Sequence, residues 1–484
     1  MNLLMKLVLN NKITFFFSLL VSLLYYAAFW ADMLLWQFAM LISLYAILLL
    51  YAVFNRQKTI ILLFFLIAFF VFLLGKDFFL ICAAPLLPDD VKQVVSVDEY
   101  SQRIKFFALY HSLLFLFLGN LFSLKLFKSY NTEEKVVDKA SSSYIKRVSL
   151  LLFYLTTFFT VWQIIVKANS VFTYSYANLD ATINLPHSVV LLSFLNTLSF
   201  VYYLNTYPNK KEIVKPLVIF VFLTISSVLM GTRGTVMTTL LFLLIYFMSR
   251  DCYKQKTERF LKKKFWYTVF FATPFVLIGL NLFVFVRSSE EVVSKGFLMD
   301  VAGFFIQQGG SSDLIYLVED YRSSLPKTNI SYTFGPIINY FNDFLGITSN
   351  KCFDFLTYEA LYRNNLGATL TYLINPNYYY SGGGLGTQYI AELIADFGGW
   401  GVILFNFFLG VLLRYLSFDV PKCFTMKIFS SFIIMGLLFL PRDFCFSWFV
   451  KFLMPAYLLP IFLIYGIAIT YYKRYPNLRI YIRK

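Results

Sequence analysis

Apolar residues fill most of the chain in long runs, and short polar pieces separate the runs. The hydrocarbon core of a bilayer is about 30 Å thick, and a helix that rises 1.5 Å per residue crosses it in about 20 residues. Runs of this kind lie near residues 13–31, 33–54, 59–75, 106–127, 148–166, 188–207, 216–232, 234–249, 266–286, 398–418, 427–441 and 446–472. The pattern therefore predicts an all-α polytopic membrane protein with about 12 transmembrane helices.

One long segment, residues 287–397, contains no such run. Its apolar residues recur with a helical period over 297–308, 313–323 and 335–345, which favours short amphipathic helices lying on the membrane surface. The sequence thus predicts three parts. They are residues 1–286 with transmembrane helices 1–9, the loop 287–397 with its short amphipathic helices, and residues 398–484 with transmembrane helices 10–12 and a cytoplasmic tail.

Composition and charge agree with a membrane protein. Hydrophobic residues make up 59% of the 484 residues and charged residues only 14%, whereas soluble domains are about 25% charged. A net charge of +16 would suggest a nucleic-acid partner in a soluble protein. If the N-terminus is placed in the cytoplasm, most Lys and Arg residues fall in the cytoplasmic loops, as the positive-inside rule requires. The basic charge therefore indicates topology, with both termini cytoplasmic and the long loop outside, and predicts contact with membrane lipids and no nucleic acid.

Three arginines fall at the predicted outer ends of spans. Arg233 lies in a Gly-Thr-Arg-Gly turn, Arg442 precedes the last span, and Arg287 begins the long loop. The spans that end at Arg233 and Arg442 are short, so both charges are expected to lie below the outer surface of the membrane. A charge at that depth requires a cavity or a partner. Snorkelling, or pairing of Arg442 with Asp443, is the alternative, and Arg287 fits an interfacial anchor equally well. A guanidinium matches phosphate bidentately, so these residues are candidates to bind a diphosphate on a polyprenyl carrier.

The segment 375–401 joins an aromatic run to a Gly-rich turn and then to a helix. Glycines let backbone approach a ligand closely, and a helix N-terminus suits a phosphate group. Tyrosine rings could stack on sugars, although they are also common in the aromatic belt at the membrane surface. The candidate substrate-binding residues in this segment are Gly383, Gly384, Gly386, Tyr379 and Tyr389.

A sugar hydroxyl that attacks a glycosyl donor requires a base. Glu392 and Asp396 are four residues apart, so they share one helix face, and Asp443 follows Arg442. Among these carboxylates we favour Glu392, because its helix is the one that the glycines precede. His187 begins a predicted span on the outer side and is a candidate for substrate contact, although a His at a helix start is more often structural.

The sequence offers little for a metal or cofactor. The five cysteines are scattered, without a Cys-x-x-Cys motif or a Cys/His cluster. Metal sites built on such residues show short, regular spacings. We therefore expect neither a metal site nor a cofactor, because arginine alone can neutralise a leaving diphosphate.

The chain resembles the bacterial O-antigen polymerases of the Wzy type. It is similar to them in the number of spans, in Gly231-Thr-Arg-Gly234 between two spans, and in the long loop ending in Gly382-Gly-Gly-Leu-Gly-Thr-Gln-Tyr-Ile-Ala-Glu392. It also has an arginine followed by an acid, Arg442 and Asp443, before the last span. The family has glutamate at the second of these positions, so the chain departs from it at Asp443.

The resemblance implies a metal-independent, GT-C-like membrane glycosyltransferase of the bacterial inner membrane with a periplasmic active site. Such an enzyme transfers the nascent glycan from undecaprenyl diphosphate to the non-reducing end of a newly flipped lipid-linked repeat unit. By the same resemblance, Arg233 and Arg442 would hold the donor diphosphate with help from Arg287. A chain-length regulator and a flippase would be its protein partners.

Two other functions remain as alternatives. An O-antigen ligase has the same architecture and lipid donor, but that family relies on a histidine in its long outer loop, and residues 287–397 contain none. A lipid-linked oligosaccharide flippase or other transporter tends to have two similar halves with short loops. The single long loop of this chain breaks such symmetry, so the polymerase is favoured.

Overall fold

The computed structural model describes most of the chain as helix. It describes residues 11–82, 99–127, 139–174, 185–230, 233–253, 256–263, 265–267, 297–326, 331–346, 360–420, 422, 424–454 and 462–467, and the single positions 271, 273, 275, 357 and 470. No β-strand occurs in these residues. An all-helical fold is what lipid demands, because each helix satisfies its own backbone hydrogen bonds.

The main helices of the described residues are numbered along the chain. In chain order they are α1 (Asn11–Trp30), α2 (Leu34–Phe54), α3 (Arg56–Cys82), α4 (Glu99–Leu126), α5 (Lys139–Tyr174), α6 (His187–Asn205), α7 (Lys210–Ser226), α8 (Arg233–Tyr253), α9 (Phe297–Gln308), α10 (Leu314–Asp320), α11 (Gly335–Phe344), α12 (Leu366–Ile374), α13 (Pro376–Tyr380), α14 (Tyr389–Leu416), α15 (Phe424–Leu437) and α16 (Ser447–Leu453). Within the described residues, nine are long and apolar enough to cross a membrane, namely α1–α7, α14, and α15 extended to Arg442. The chain is therefore a multi-pass membrane protein.

These nine helices fall on nine of the predicted spans. A helix, α8, also lies at the predicted span 234–249, although it is not among the nine. Most of the predicted span 266–286 and the middle of the predicted span 446–472 lie outside the described residues. The all-helical membrane fold is confirmed, whereas the count of about 12 spans remains a prediction.

The connection between the third and fourth spans differs from its prediction. The sequence pattern ended the third span at residue 75 and began the fourth at 106, because charged residues follow and precede the apolar runs there. Instead, α3 continues through a π-helical turn, Phe70–Leu74, to Cys82, and α4 begins at Glu99. Charged residues that the pattern placed in a loop therefore lie within helices.

The chain divides into two compact units. The first comprises Met1–Ser129, Lys295–Val420 and Gly436–Val450, and the second comprises Tyr130–Ser294, Pro421–Met435 and Lys451–Lys484. In the second unit, α5 and α6 pack through polar groups: the Asn196 amide donates to the backbone oxygen of Phe153 at 2.8 Å and to the hydroxyl of Thr156 at 3.2 Å. Such interhelical hydrogen bonds hold helices together where lipid supplies no hydrophobic driving force.

In the first unit, α4 and α14 pack through two glycines. A Cβ atom on Gly119 would lie 1.9 Å from the backbone oxygen of Phe407, and one on Gly410 would lie 2.1 Å from that of Leu116. Small residues let helix backbones approach closely, and van der Waals packing of this kind drives helix association in lipid. The long helix α14, which carries much of the candidate site, is thereby fixed against α4.

Gly119→Ala is expected to lower the thermal stability of the detergent-purified protein. The added methyl group must displace backbone, and overpacking of a tight site costs about 1–3 kcal/mol. A melting curve measures the effect. Gly399→Ala, in α14, is the matched control, because a Cβ atom there meets nothing within 4 Å. Equal melting temperatures for the two variants would contradict this packing.

A buried ion pair lies at the C-terminal end of α14. The guanidinium of Arg414 donates to both carboxylate oxygens of Asp419, at 2.6 and 2.8 Å, and to the backbone oxygens of Lys58 and Phe127. Both charged side chains are buried. Because Lys58 belongs to α3 and Phe127 follows α4, this one arginine joins three helices and leaves its own charge balanced.

Candidate active site

The Gly-rich turn before α14 is a tightly packed piece of backbone. Gly382 and Gly386 have φ angles of +83° and +84°, in the left-handed region that favours glycine. A Cβ atom on Gly367, in α12, would lie 1.8 Å from the backbone oxygen of Gly386, and the Leu385 N–H donates to the Thr371 hydroxyl at 3.1 Å. The turn is therefore held against α12.

The predicted ligand-binding glycines differ in the space beside them. A Cβ atom on Gly383 would lie 2.3 Å from the ring of Tyr378, so this glycine accommodates a neighbouring side chain. Beside Gly384 the nearest atom is 4.0 Å away, and beside Gly386 none lies within 4 Å. Both are exposed. Gly384 and Gly386 thus have room for a ligand beside them, as has Gly382.

The tyrosines also divide by burial. Tyr379 is 7% exposed and packs its ring against that of Tyr380, and Tyr389 is fully buried with its hydroxyl donating to the Asn406 amide oxygen at 2.9 Å. Tyr378 and Tyr380 are 48% and 45% exposed. Tyr378 and Tyr380, which flank Tyr379 in α13, therefore carry the exposed rings.

Glu392 lies in the first turn of α14 with its carboxyl group fully buried. Its Oε2 accepts the backbone N–H of Cys445 at 2.8 Å, while its Oε1 has no hydrogen-bond partner among the described residues. A buried oxygen without a partner is rare in folded proteins.

Burial raises the pKa of the Cys445 thiol, and the nearby Glu392 adds to this effect, so the thiol stays protonated and is a poor nucleophile.

Asp396 faces the same side of α14 and fastens the long loop to it. Its carboxylate accepts the Ser331 hydroxyl at 2.8 Å and the backbone N–H groups of Tyr332 and Thr333 at 3.1 and 2.8 Å. The shared face that the i, i+4 spacing predicts is thus present. The carboxylate of Asp396, however, is engaged in holding a turn of the loop.

Arg442 ends the short 3₁₀ turn Leu440–Arg442 and is half-buried. Its guanidinium donates to the amide oxygen of Gln308, at the end of α9, and its Cζ atom lies 6.0 Å from the ring centre of Phe72, in α3. A guanidinium over an aromatic face is favourable, more so away from water. The side chain is therefore oriented by contacts with α3 and with the end of α9.

Asp443 stabilises the start of the next helix. Its Oδ1 accepts the backbone N–H of Phe444 at 2.8 Å, and its Oδ2 accepts the hydroxyl of Ser447, the first residue of α16, at 2.6 Å. Because Glu392 binds the backbone of Cys445, the turn of residues 442–445 brings Arg442, Asp443 and Glu392 into one neighbourhood. Three of the four predicted catalytic residues thus meet in the first unit.

The family model for O-antigen polysaccharide polymerase Wzy matches residues 11–475, nearly the whole chain. The chain belongs to this family. No curated protein and no solved structure matches it. The resemblance inferred from the sequence is confirmed, and with it a glycosyltransferase-type membrane polymerase of polysaccharide biosynthesis that acts on lipid-linked oligosaccharide repeat units.

The remaining predicted site residues of this Wzy polymerase lie elsewhere. Arg233 is the first residue of α8, and His187, which is exposed, is the first residue of α6. Both belong to the second unit. Arg287 lies outside the described residues. Two arginines of the long loop are each paired with a nearby carboxylate, Arg322 with Glu319 and Arg363 with Asp343.

A cluster of four charged residues in the first unit escaped the sequence analysis. Lys105, in α4, donates to Asp77 at 2.7 Å and to Asp313 at 3.3 Å, and Lys76 donates to the other oxygen of Asp313. The side chain of Lys105 is 0% exposed and that of Asp77 is 4% exposed. In the sequence, the adjacent charged residues Lys76 and Asp77 follow a long apolar run. Such a charged pair predicts the start of a loop, and the cluster is therefore missed.

Proposed function

We propose that this polymerase transfers the nascent glycan from undecaprenyl diphosphate to the non-reducing end of a lipid-linked repeat unit at the periplasmic face of the inner membrane. Undecaprenyl diphosphate leaves, and the glycan grows by one repeat. The observation that carries the proposal is the family match over residues 11–475 together with a half-buried Arg442 held between Phe72 and Gln308. A GT-C-like, metal-independent transfer fits these features.

Arg442 is suited to bind the donor diphosphate. A guanidinium cannot lose its charge, and its planar fork matches two phosphate oxygens at once. Gln308 and Phe72 both contact the guanidinium, and these contacts orient it. When the glycosidic bond breaks, negative charge grows on the leaving diphosphate, and a preorganised cation lowers the barrier to that step.

By the family resemblance we also assign a diphosphate-binding role to Arg233 and an assisting contact to Arg287. Arg233 begins α8, and the N-terminus of a helix carries a partial positive charge that favours an anion. Gly384 and Gly386, which have open space beside them, are assigned to the backbone surface that meets the sugar. Tyr378 and Tyr380 flank Tyr379 and supply exposed rings.

Glu392 is the proposed general base for the acceptor hydroxyl. In the part of the chain that the structure describes, its Oε1 has no hydrogen-bond partner, so it could accept the proton of a sugar hydroxyl that reached it. Because Glu392 is fully buried, such contact requires the turn around Cys445 to move aside. Asp443 and His187 are the alternative residues. Asp443 already accepts two hydrogen bonds at the start of α16, which leaves it less capacity for this role.

The proposal is tested with the purified protein in detergent, given only a lipid-linked repeat unit and EDTA. A polymerase that uses arginine in place of a metal should produce a ladder of glycans spaced by one repeat. A flippase would leave the substrate unchanged, since no membrane remains to be crossed. A ligase would consume the substrate only after lipid A-core was added. Loss of the ladder in EDTA, with recovery on added Mg²⁺, would contradict the metal-independent mechanism.

The proposed orientation predicts the outcome of reporter fusions. Alkaline phosphatase fused at Asn178 or Ser324 should be active, because both positions are expected in the periplasm. A fluorescent protein that folds only in the cytoplasm should be bright at Lys139, Arg259 or Lys484. A bright fusion at Ser324 would place the long loop on the cytoplasmic side, and the periplasmic site would then be wrong.

A further inference from the structure

The buried charge cluster is connected to Arg442 through one short turn. Gln308, which accepts the hydrogen bond from Arg442, is the last residue of α9. The next five residues form the 3₁₀ turn Gly309–Asp313, and Asp313 at its far end accepts hydrogen bonds from Lys76 and Lys105. Two lysines therefore hold the C-terminal end of the turn, and Gln308 directly precedes its N-terminal end.

Close packing fixes this turn on α3. A Cβ atom on Gly309 would lie 2.5 Å from the Cβ atom of Lys76, and one on Gly75 would lie 2.8 Å from the ring of Phe305, in α9. Within the turn, the Ser312 hydroxyl donates to the backbone oxygen of Gly309 at 2.7 Å. Since no space remains between the two backbones, Gln308 has little freedom to shift.

The same helix also contacts Arg442 directly. Phe72, whose ring faces the guanidinium, precedes Lys76 by four residues, which is about one helical turn. The guanidinium is thus bounded on one side by α3 and on another by a turn that is itself pinned to α3. Contacts with α3 and with this turn therefore both orient the long side chain of Arg442.

The charges of Lys105 and Asp77 are buried and those of Lys76 and Asp313 are partly buried, so a neutral core would cost less free energy. Ion pairs lose their hydration on burial and often stabilise a fold less than apolar residues of similar size, although they can specify one geometry. Charged residues within membrane spans are also functional candidates by default. We propose that Asp313, held by Lys76 and Lys105, is a positioning residue that orients Gln308 and, through it, the guanidinium of Arg442. That this guanidinium binds a lipid diphosphate rests on the proposed function.

Phenylglyoxal labelling of Arg442, followed by peptide mass spectrometry on the full detergent-purified chain, reports its exposure without any substrate. Gln308→Ala and Asp313→Asn should each raise the labelling rate severalfold. Gln307→Ala is the matched control, because Gln307 is the exposed neighbour of Gln308 and should leave the rate unchanged. Unchanged labelling of Arg442 in Gln308→Ala would overturn the proposal.

Binding of farnesyl diphosphate supplies a second measurement. Gln308→Ala should weaken its Kd about tenfold, the usual effect of losing one hydrogen bond to a charged group. In an Arg442→Ala background the same change should have no further effect, because Gln308 acts through Arg442. Additive losses would mean that Gln308→Ala damages the fold generally and would overturn the proposal.

Asp313→Asn leaves a lysine without its partner and could unfold the protein. The charge-balanced double variant Lys76→Met/Asp313→Asn removes one positive and one negative charge, and it should show the same faster labelling of Arg442. If labelling responds as expected but the wild type neither binds farnesyl diphosphate nor makes polymer, the positioning of Arg442 stands and the proposed function fails.

Discussion

Replacing Arg442 with alanine is expected to abolish polymer, with protein level in the membrane unchanged. The variant leaves the growing charge of the diphosphate without its preorganised cation, and loss of one such stabilising group slows a reaction by roughly 10²- to 10³-fold. The protein should still fold, because Arg442 is a half-buried residue at the end of a short turn. The ladder assay and a membrane immunoblot measure the two quantities together.

Arg442→Lys separates charge from geometry. Lysine keeps the positive charge but offers a point charge in place of a planar fork, so it should restore only short products. Arg322→Ala is the matched control, since Arg322 is an exposed arginine of the long loop paired with Glu319, and it should leave the ladder intact. Full-length polymer from Arg442→Lys would refute the bidentate contact. Arg233→Ala should likewise abolish polymer if Arg233 binds diphosphate.

Glu392→Gln should slow chain growth by roughly 10²- to 10⁴-fold, the usual contribution of a general base. Glutamine cannot take up the proton, yet its amide oxygen can still accept the backbone N–H of Cys445 that Glu392 binds in the wild type. The fold around Arg442 should therefore survive. Single-turnover rates measure the loss, and the Kd for farnesyl diphosphate should be unchanged, because a base adds little to ground-state affinity.

Asp443→Asn is the companion variant, because Asp443 is the alternative base of the same turn. We expect its effect to be on the start of α16, where Asp443 accepts the N–H of Phe444 and the hydroxyl of Ser447, with a smaller loss of rate. A normal rate in Glu392→Gln would transfer the role of base to Asp443 or His187, or would mean that the diphosphate leaves readily enough without one.

The local sequence pattern was sufficient to predict the helices and the family. A run of about 20 apolar residues has few options in lipid other than a helix, so nine predicted spans coincide with candidate membrane helices. The Gly-rich turn followed by a helix was also predictable, because positive φ angles at Gly382 and Gly386 are a local property of glycine. The same holds for the shared face of Glu392 and Asp396.

Partners distant in the chain could be recognised only in the tertiary structure. Lys76 and Lys105 looked like loop residues because a lone charge ends an apolar run, but Asp77 and Asp313 balance their charges within the fold. Asp396 looked like a possible base until the loop residues that it holds were in place. The amino-acid sequence by itself thus determined the helices, the family and the candidate residues, because these depend on neighbours along the chain. Which charges are paired, and which group orients Arg442, was decided by contacts between segments far apart in sequence.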